Sequence, residues 1–140
     1  ARRALGEQPE RDVDFYIADT IGELGLFYRL TPLVFVGGSL IPHGGQNPIE
    51  PAKLGTAILH GPHVHNFTEV YATIDRAGGA LPVADAKALA AALEDLIADT
   101  ALTREMARAG YEAVQSLGGA LDRTLRAVEP YILDVKMERR

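Results

Sequence analysis

A parallel α/β sandwich is the fold this sequence predicts, and three observations carry that prediction. The run LVFVGG is apolar without alternation, as in a strand buried on both faces of a parallel sheet. Strand-like runs (LVFVGG, TAILHG, GGALPV) alternate with stretches of helical spacing, the pattern of linked strand-helix units. The most irregular stretch, GGSLIPHGGQNPIEP, falls between a strand and a helix, where open parallel sheets place their ligands.

The elements follow in order. Residues 1–11 are polar, hold a proline and read as a loop or linker. Residues 13–18 give a short strand, and TIGELGLFYRL gives helical spacing through Ile21, Leu24, Tyr28 and Leu30. Thr20 and Glu23 stand three apart ahead of that pattern, which is capping-box spacing. After LVFVGG and its loop, Asn47 reads as an N-cap and Pro48 as the first helical residue. Glu50 then sits where a carboxylate can reach back to the cap. Gly55 closes that short helix ahead of the strand TAILHG. Asn66 is read as the cap of a helix reaching Ala77, and GGALPV as a further strand. Asp85 opens an alanine-rich helix to about Ala98, and residues 100–116 form another. A last helix is expected over about 119–135, bent or interrupted at Pro130. The organisation is therefore a linker or upstream remnant at 1–11, one Rossmann-like domain at 12–118, and a C-terminal helix and tail at 119–140.

Composition narrows the function classes. At 47% hydrophobic and 24% charged residues the chain is ordinary globular protein rather than disorder. A net charge of -5 argues against nucleic acid as a partner, since phosphate neutralisation needs clustered Lys and Arg. The absence of cysteine excludes disulfides, thiol nucleophiles and thiolate metal sites. No apolar run reaches the roughly 18 residues of a membrane span, and no secretory signal opens the chain, so a soluble domain is expected. The opening ARRALGEQPE, without methionine, reads as part of something longer.

The glycine-rich loop is the candidate site. Glycine lets backbone approach a ligand closely and adopt positive φ. The free N–H groups at the start of the Pro48 helix would present partial positive charge to an anion. Gly37, Gly38 and Ser39 follow directly on a strand, so their N–H groups and the Ser39 hydroxyl are expected to face the same crevice, with a phosphate or nucleotide as guest. The same residues also fit a turn and a bare capping box. The pattern is neither G-x-G-x-x-G nor a Walker loop, so dinucleotide and ATP mechanics do not follow.

All four histidines fall between His43 and His65. His43 sits inside the glycine loop, where it could donate to a phosphate. His60 is expected at the crevice rim. His63 and His65, read as alternating on a strand, point to opposite faces with no Asp or Cys to complete a ligand set, so no metal is expected. Leu89, Leu93, Leu96 and Ile97 make an amphipathic stripe read as a core face, Glu94 and Asp95 a solvated face, Asp99 a cap, and Tyr71 and Tyr111 packing residues.

Together, DTIGELGLFYRLTPLVFVGGSL, HGGQNPIEP and ILHGPHVHNF closely resemble the C-terminal half of the 3-deoxy-D-manno-octulosonic acid (Kdo) transferases of lipopolysaccharide core biosynthesis, over roughly residues 12–130. The resemblance implies half of a GT-B glycosyltransferase, two Rossmann-like domains facing across a cleft, with this half holding the donor CMP-Kdo. It implies metal independence and no cofactor. The acceptor would be lipid A or its precursor at the cytoplasmic face of the bacterial inner membrane. The catalytic base, a glutamate, would lie in an N-terminal domain outside these residues, so this stretch would bind donor without transferring sugar.

By matching motif, the resemblance places Ile21, Gly22 and Glu23 at a helix N-terminus near the donor phosphate. It places Gly37, Gly38 and Ser39 beneath the nucleotide. The loop His43, Gly44, Gly45 and Asn47 would close on the donor, and Glu50 matches the acidic residue that GT-B enzymes set against ribose hydroxyls. Gln46 stands where many members have His, and Ile21 where Met is frequent. Two other readings stay open: a UDP- or GDP-sugar donor domain, and a non-catalytic nucleotide-binding or interaction module.

Overall fold

The computed structural model describes residues 1–118 and Val128. Its centre is a three-stranded parallel sheet in the order β1-β2-β3, formed by β1 (Leu33–Val36), β2 (Ala57–His60) and β3 (Ala80–Pro82). Leu33 pairs with Ala57 and Ile58 with Ala80, so the central strand β2 is hydrogen-bonded on both edges. All four of its residues are buried, which is why TAILHG carries no polar alternation. The expected parallel α/β sandwich is the architecture found.

Among the described residues five α-helices surround the sheet: α1 (Leu24–Leu30), α2 (Ile49–Lys53), α3 (Thr68–Arg76), α4 (Ala86–Ala98) and α5 (Thr100–Ser116). Successive β2 side chains point to opposite faces and build two cores. Ile58 joins Val36, Tyr71, Ile74 and Val114 on one face, with α2, α3 and the end of α5. Ala57 and Leu59 join Val83, Leu96 and Met106 on the other, with α4 and the start of α5. Thus α5 serves both cores. It passes the turn before β3 at two glycines: a Cβ on Gly79 would lie 2.3 Å from the Gly110 Cα.

Local chemistry explains the helix ends in the second half. Asp85 accepts from the Ala88 N–H at 2.8 Å, and Asp99 from Ala101 and Leu102 at 3.0 and 2.9 Å, each cap satisfying otherwise unpaired donors. Leu89, Leu93 and Leu96 face the core as expected, whereas Ile97 points outward. Tyr71 is buried and Tyr111 is exposed.

Further expectations differ from what is found. Residues 13–18 form no strand of the sheet; only an isolated parallel bridge joins Ile17 to Arg2. The first residues pair with that segment. Arg3 donates its N–H to the Ile17 carbonyl at 2.8 Å, and Ile17 donates to the Ala1 carbonyl at 2.8 Å. The apolar stripe of Ile21, Leu24 and Leu30 stays exposed, because among the described residues nothing packs over that face. Asn66 does not cap α3, which starts from Phe67 without a side-chain cap; its amide turns instead to the glycine loop. The helix expected over 119–135 lies, Val128 apart, outside the described residues.

Candidate functional site

The carboxyl end of β1 opens into a depression of about 440 Å³. Leu24 and Tyr28 of α1 line one side, Val36 and Gly37 the strand end, and Gln46, Asn47 and Glu50 the entry to α2. A Cβ on Gly37 would meet nothing within 4 Å, so this missing side chain is what leaves the strand end open. Asn47 accepts from the Ile49 N–H at 2.9 Å, orienting the chain as it enters α2.

Glu50 does not close a capping box. Its carboxylate takes no hydrogen bond or ion pair among the described residues and is exposed beside the depression. One oxygen lies 3.3 Å from where a Cβ on Gly25 would stand, so a side chain there would press on the Glu50 carboxylate. Burial, and then the nearby Glu50 charge, raise the Tyr28 phenol above its ordinary value.

The rest of the loop supports the depression from behind. Gly38 (φ +68°) sits against the His43 ring, and a Cβ there would lie 2.9 Å from it. Gly44 and Gly45 also have positive φ and are buried under residues 63–66. The Asn66 side chain donates to the His43 and Gly45 carbonyls at 3.4 Å, and its N–H to Gly44 at 3.1 Å. Ser39 departs from expectation. Its hydroxyl is buried, donates to the Val36 carbonyl at 2.5 Å and accepts from the Gly61 N–H at 2.8 Å, so it does not face the crevice.

Gly37, Asn47 and Glu50 therefore come together, with Gly38, Ser39, Gly44 and Gly45 as their support. The His43 ring is exposed and makes no hydrogen bond among the described residues. Ile21, Gly22 and Glu23 precede α1 and do not line the depression. Ile21 is wholly exposed and Gly22 makes the turn at φ +87°. Glu23 receives Arg3 at 2.7 and 3.0 Å and the Thr20 hydroxyl, a side-chain pairing in place of the expected capping box. Arg3 first, and then Thr20, hold the Glu23 carboxyl at about 2.

Leu24, Gly25, Tyr28 and Gln46 were not singled out from sequence as site residues. Leu24 and Tyr28 are four apart and so share one face of α1, a signal that was present. His60 is no rim residue: it is 3% exposed. His63 and His65 lie beyond β2, His65 opening a short 3-10 turn, so strand alternation does not govern them. Among the described residues no three His, Asp or Glu side chains converge as a metal-ligand set. No described helix is long and apolar enough to cross a membrane.

Scanned against protein-family models, the chain matches none. It is similar to curated proteins named 3-deoxy-D-manno-octulosonic acid transferase. That of Haemophilus influenzae is 36% identical over 94% of this chain, and that of Bordetella pertussis 37% identical over 94%. The chain spans 31% of the length of each of these relatives. Among solved structures, the C-terminal CMP-Kdo binding domain of WaaA from Acinetobacter baumannii superimposes with a TM-score of 0.78 at 30% identity. That match covers 82% of this chain and 60% of the other.

Proposed function

We propose that this chain, similar to the Kdo transferases, holds the CMP-Kdo donor for a GT-B glycosyltransferase of lipopolysaccharide core biosynthesis. The observation that carries the reading is the depression at the end of β1, where Gly37 borders open space and Glu50 offers a carboxylate with no donor among the described residues. Its two oxygens can accept from both ribose hydroxyls. It lies where parallel sheets bind nucleotides, beyond a strand's carboxyl end. The similarity to the C-terminal CMP-Kdo binding domain of WaaA supports the choice of cytidine.

In the proposed reaction a base on a partner domain takes the proton of a lipid A hydroxyl as its oxygen attacks the anomeric carbon of Kdo with inversion. The bond from that carbon to the CMP phosphate breaks, and CMP leaves with the electron pair. The residues here bind and orient the nucleotide, and loop N–H groups with the His43 ring meet the charge growing on the leaving phosphate. That task needs no resident metal. Transfer would take place at the cytoplasmic face of the inner membrane, where the acceptor lies.

Titration with CMP, UMP and inorganic phosphate, read by amide shifts, tests the donor reading. Shifts at Gly37, Asn47 and Glu50 that are strongest for CMP are expected. Preference for UMP would assign a different donor, and an undisturbed loop in the folded chain would remove nucleotide binding altogether.

A further inference from the structure

Buried behind the glycine loop is a titratable cluster that the donor reading does not use. The His60 ring has Nδ1 at 2.7 Å from the Gly61 carbonyl oxygen and Nε2 at 3.0 Å from an Asp75 carboxylate oxygen. Tyr71 lies against the ring with centroids 4.5 Å apart, and its hydroxyl donates to the Gln46 carbonyl at 2.8 Å. Asp75 and Tyr71 both belong to α3, and among the described residues they are the titratable groups recorded in contact with the ring.

A carbonyl oxygen and a carboxylate only accept, so each ring nitrogen must supply a proton. A neutral imidazole has one N–H and would leave two lone pairs opposed at one of these contacts. Turning the ring over would set carbons against both oxygens and forfeit both bonds. With the second proton on Asp75 instead, the ring would carry a single N–H, an arrangement that ring-nitrogen NMR distinguishes. The carboxylate keeps contact with solvent, at 30% side-chain exposure, and can compensate the buried ring charge.

We propose that His60, donating from both ring nitrogens, clamped by Asp75 and partnered by Tyr71, acts as a positioning residue for the glycine loop. The connections run outward from it. Gly61, whose carbonyl the ring holds, donates its N–H to Ser39, and Ser39 accepts the His63 N–H at 2.9 Å on its carbonyl. Tyr71 fixes Gln46 at the loop's other end. Both ends of the loop are thus referred to one charged pair on β2 and α3. That this loop contacts a donor rests on the reading above; the protonation state and the bracing do not.

Ring-nitrogen NMR on the uniformly labelled full chain tests this directly. Two directly bonded protons on the His60 ring are expected at neutral pH. A single protonated nitrogen at neutral pH would overturn the proposal. Asp75→Asn keeps an acceptor but removes the charge, so the ring should lose one proton. The Gly45 and His63 amides should shift, and CMP affinity should fall about three- to tenfold. If ring and loop are unchanged in that variant, the clamp is wrong. Tyr71→Phe, which keeps the packing, should leave the ring doubly protonated while Gly45 exchanges about tenfold faster, the scale of one hydrogen bond; unchanged exchange would sink the Tyr71 part. A chain that binds no CMP yet shows both ring protons and the loop shifts would refute the donor reading and uphold the brace.

Discussion

The loop after β1 and the segment before α1 are both irregular, yet they are held by opposite means. The loop is held mainly by uncharged hydrogen bonds: the buried Ser39 hydroxyl bonds Val36 and Gly61, Tyr71 reaches Gln46 from α3, and the Asn66 amide reaches Gly45. The first 23 residues are held chiefly by surface charge. Arg2 meets Asp19 at 2.5 Å, Arg3 meets Glu23 at 2.7 Å, and Ala4 donates to Asp19 at 2.8 Å. Meanwhile Leu5, Phe15, Ile17 and Ile21 face solvent. Irregular backbone becomes rigid when its polar groups are satisfied from inside, where water does not compete, and stays adjustable when exposed ion pairs hold it.

The contrast can be broken most forcibly at Gly61. A Cβ there would stand 2.2 Å from the Ser39 carbonyl oxygen, so Gly61→Ala should cost about 3 kcal/mol in urea denaturation and weaken CMP binding with it. A stable variant that binds normally would show the loop to be loosely seated.

Gly25→Ala is the subtler probe. It sits within α1, where alanine favours the helix by up to about 1 kcal/mol, so stability should hold or rise slightly. Its methyl would crowd the Glu50 carboxylate, and CMP affinity should fall by about tenfold or less. Stability and binding moving in opposite directions would separate the site from its scaffold.

In the N-terminal segment, Arg3→Ala should leave the denaturation midpoint where it is. Hydrogen exchange at the Arg3 and Ile17 amides should rise, because the pairing they belong to has lost its anchor. A fall in the midpoint would mean that this segment is part of the core's cooperative unit.

The smallest effect is expected from acid. Glu23 is held at about 2 in the folded chain against an ordinary 4.5. A depressed carboxylate stabilises fully above its unfolded value, less as pH falls through this interval, and not at all below about 2. Protection of the Ile17 amide should therefore survive at pH 5 and disappear toward pH 2. Loss by pH 5 would contradict the pairing with Arg3.

What could be read from sequence divides along the same line. The strands β1 and β2, the Asp85 cap and the span of α4 rest on neighbours within a few residues, and their spacing displayed them. Residues 13–18 have strand-like composition, but no strand of the sheet receives them, and composition cannot supply a partner. Asn66 has the chemistry of an N-cap, yet carbonyls about twenty residues earlier claim its amide. His60 reads as a crevice-rim residue because Asp75 and Tyr71, which enclose it, come a helix later. Glu50 illustrates the converse: its spacing suited a capping box, and the fold left its carboxylate unclaimed.

The placement of α5 bears on how the molecule comes apart. Its early residues, Met106 and Ala107, seal one side of the sheet, and its late residues, Ala113 and Val114, seal the other. Neither side can melt while this helix stays docked, and releasing it uncovers both. Heating should therefore give a single calorimetric peak whose van't Hoff and measured enthalpies agree.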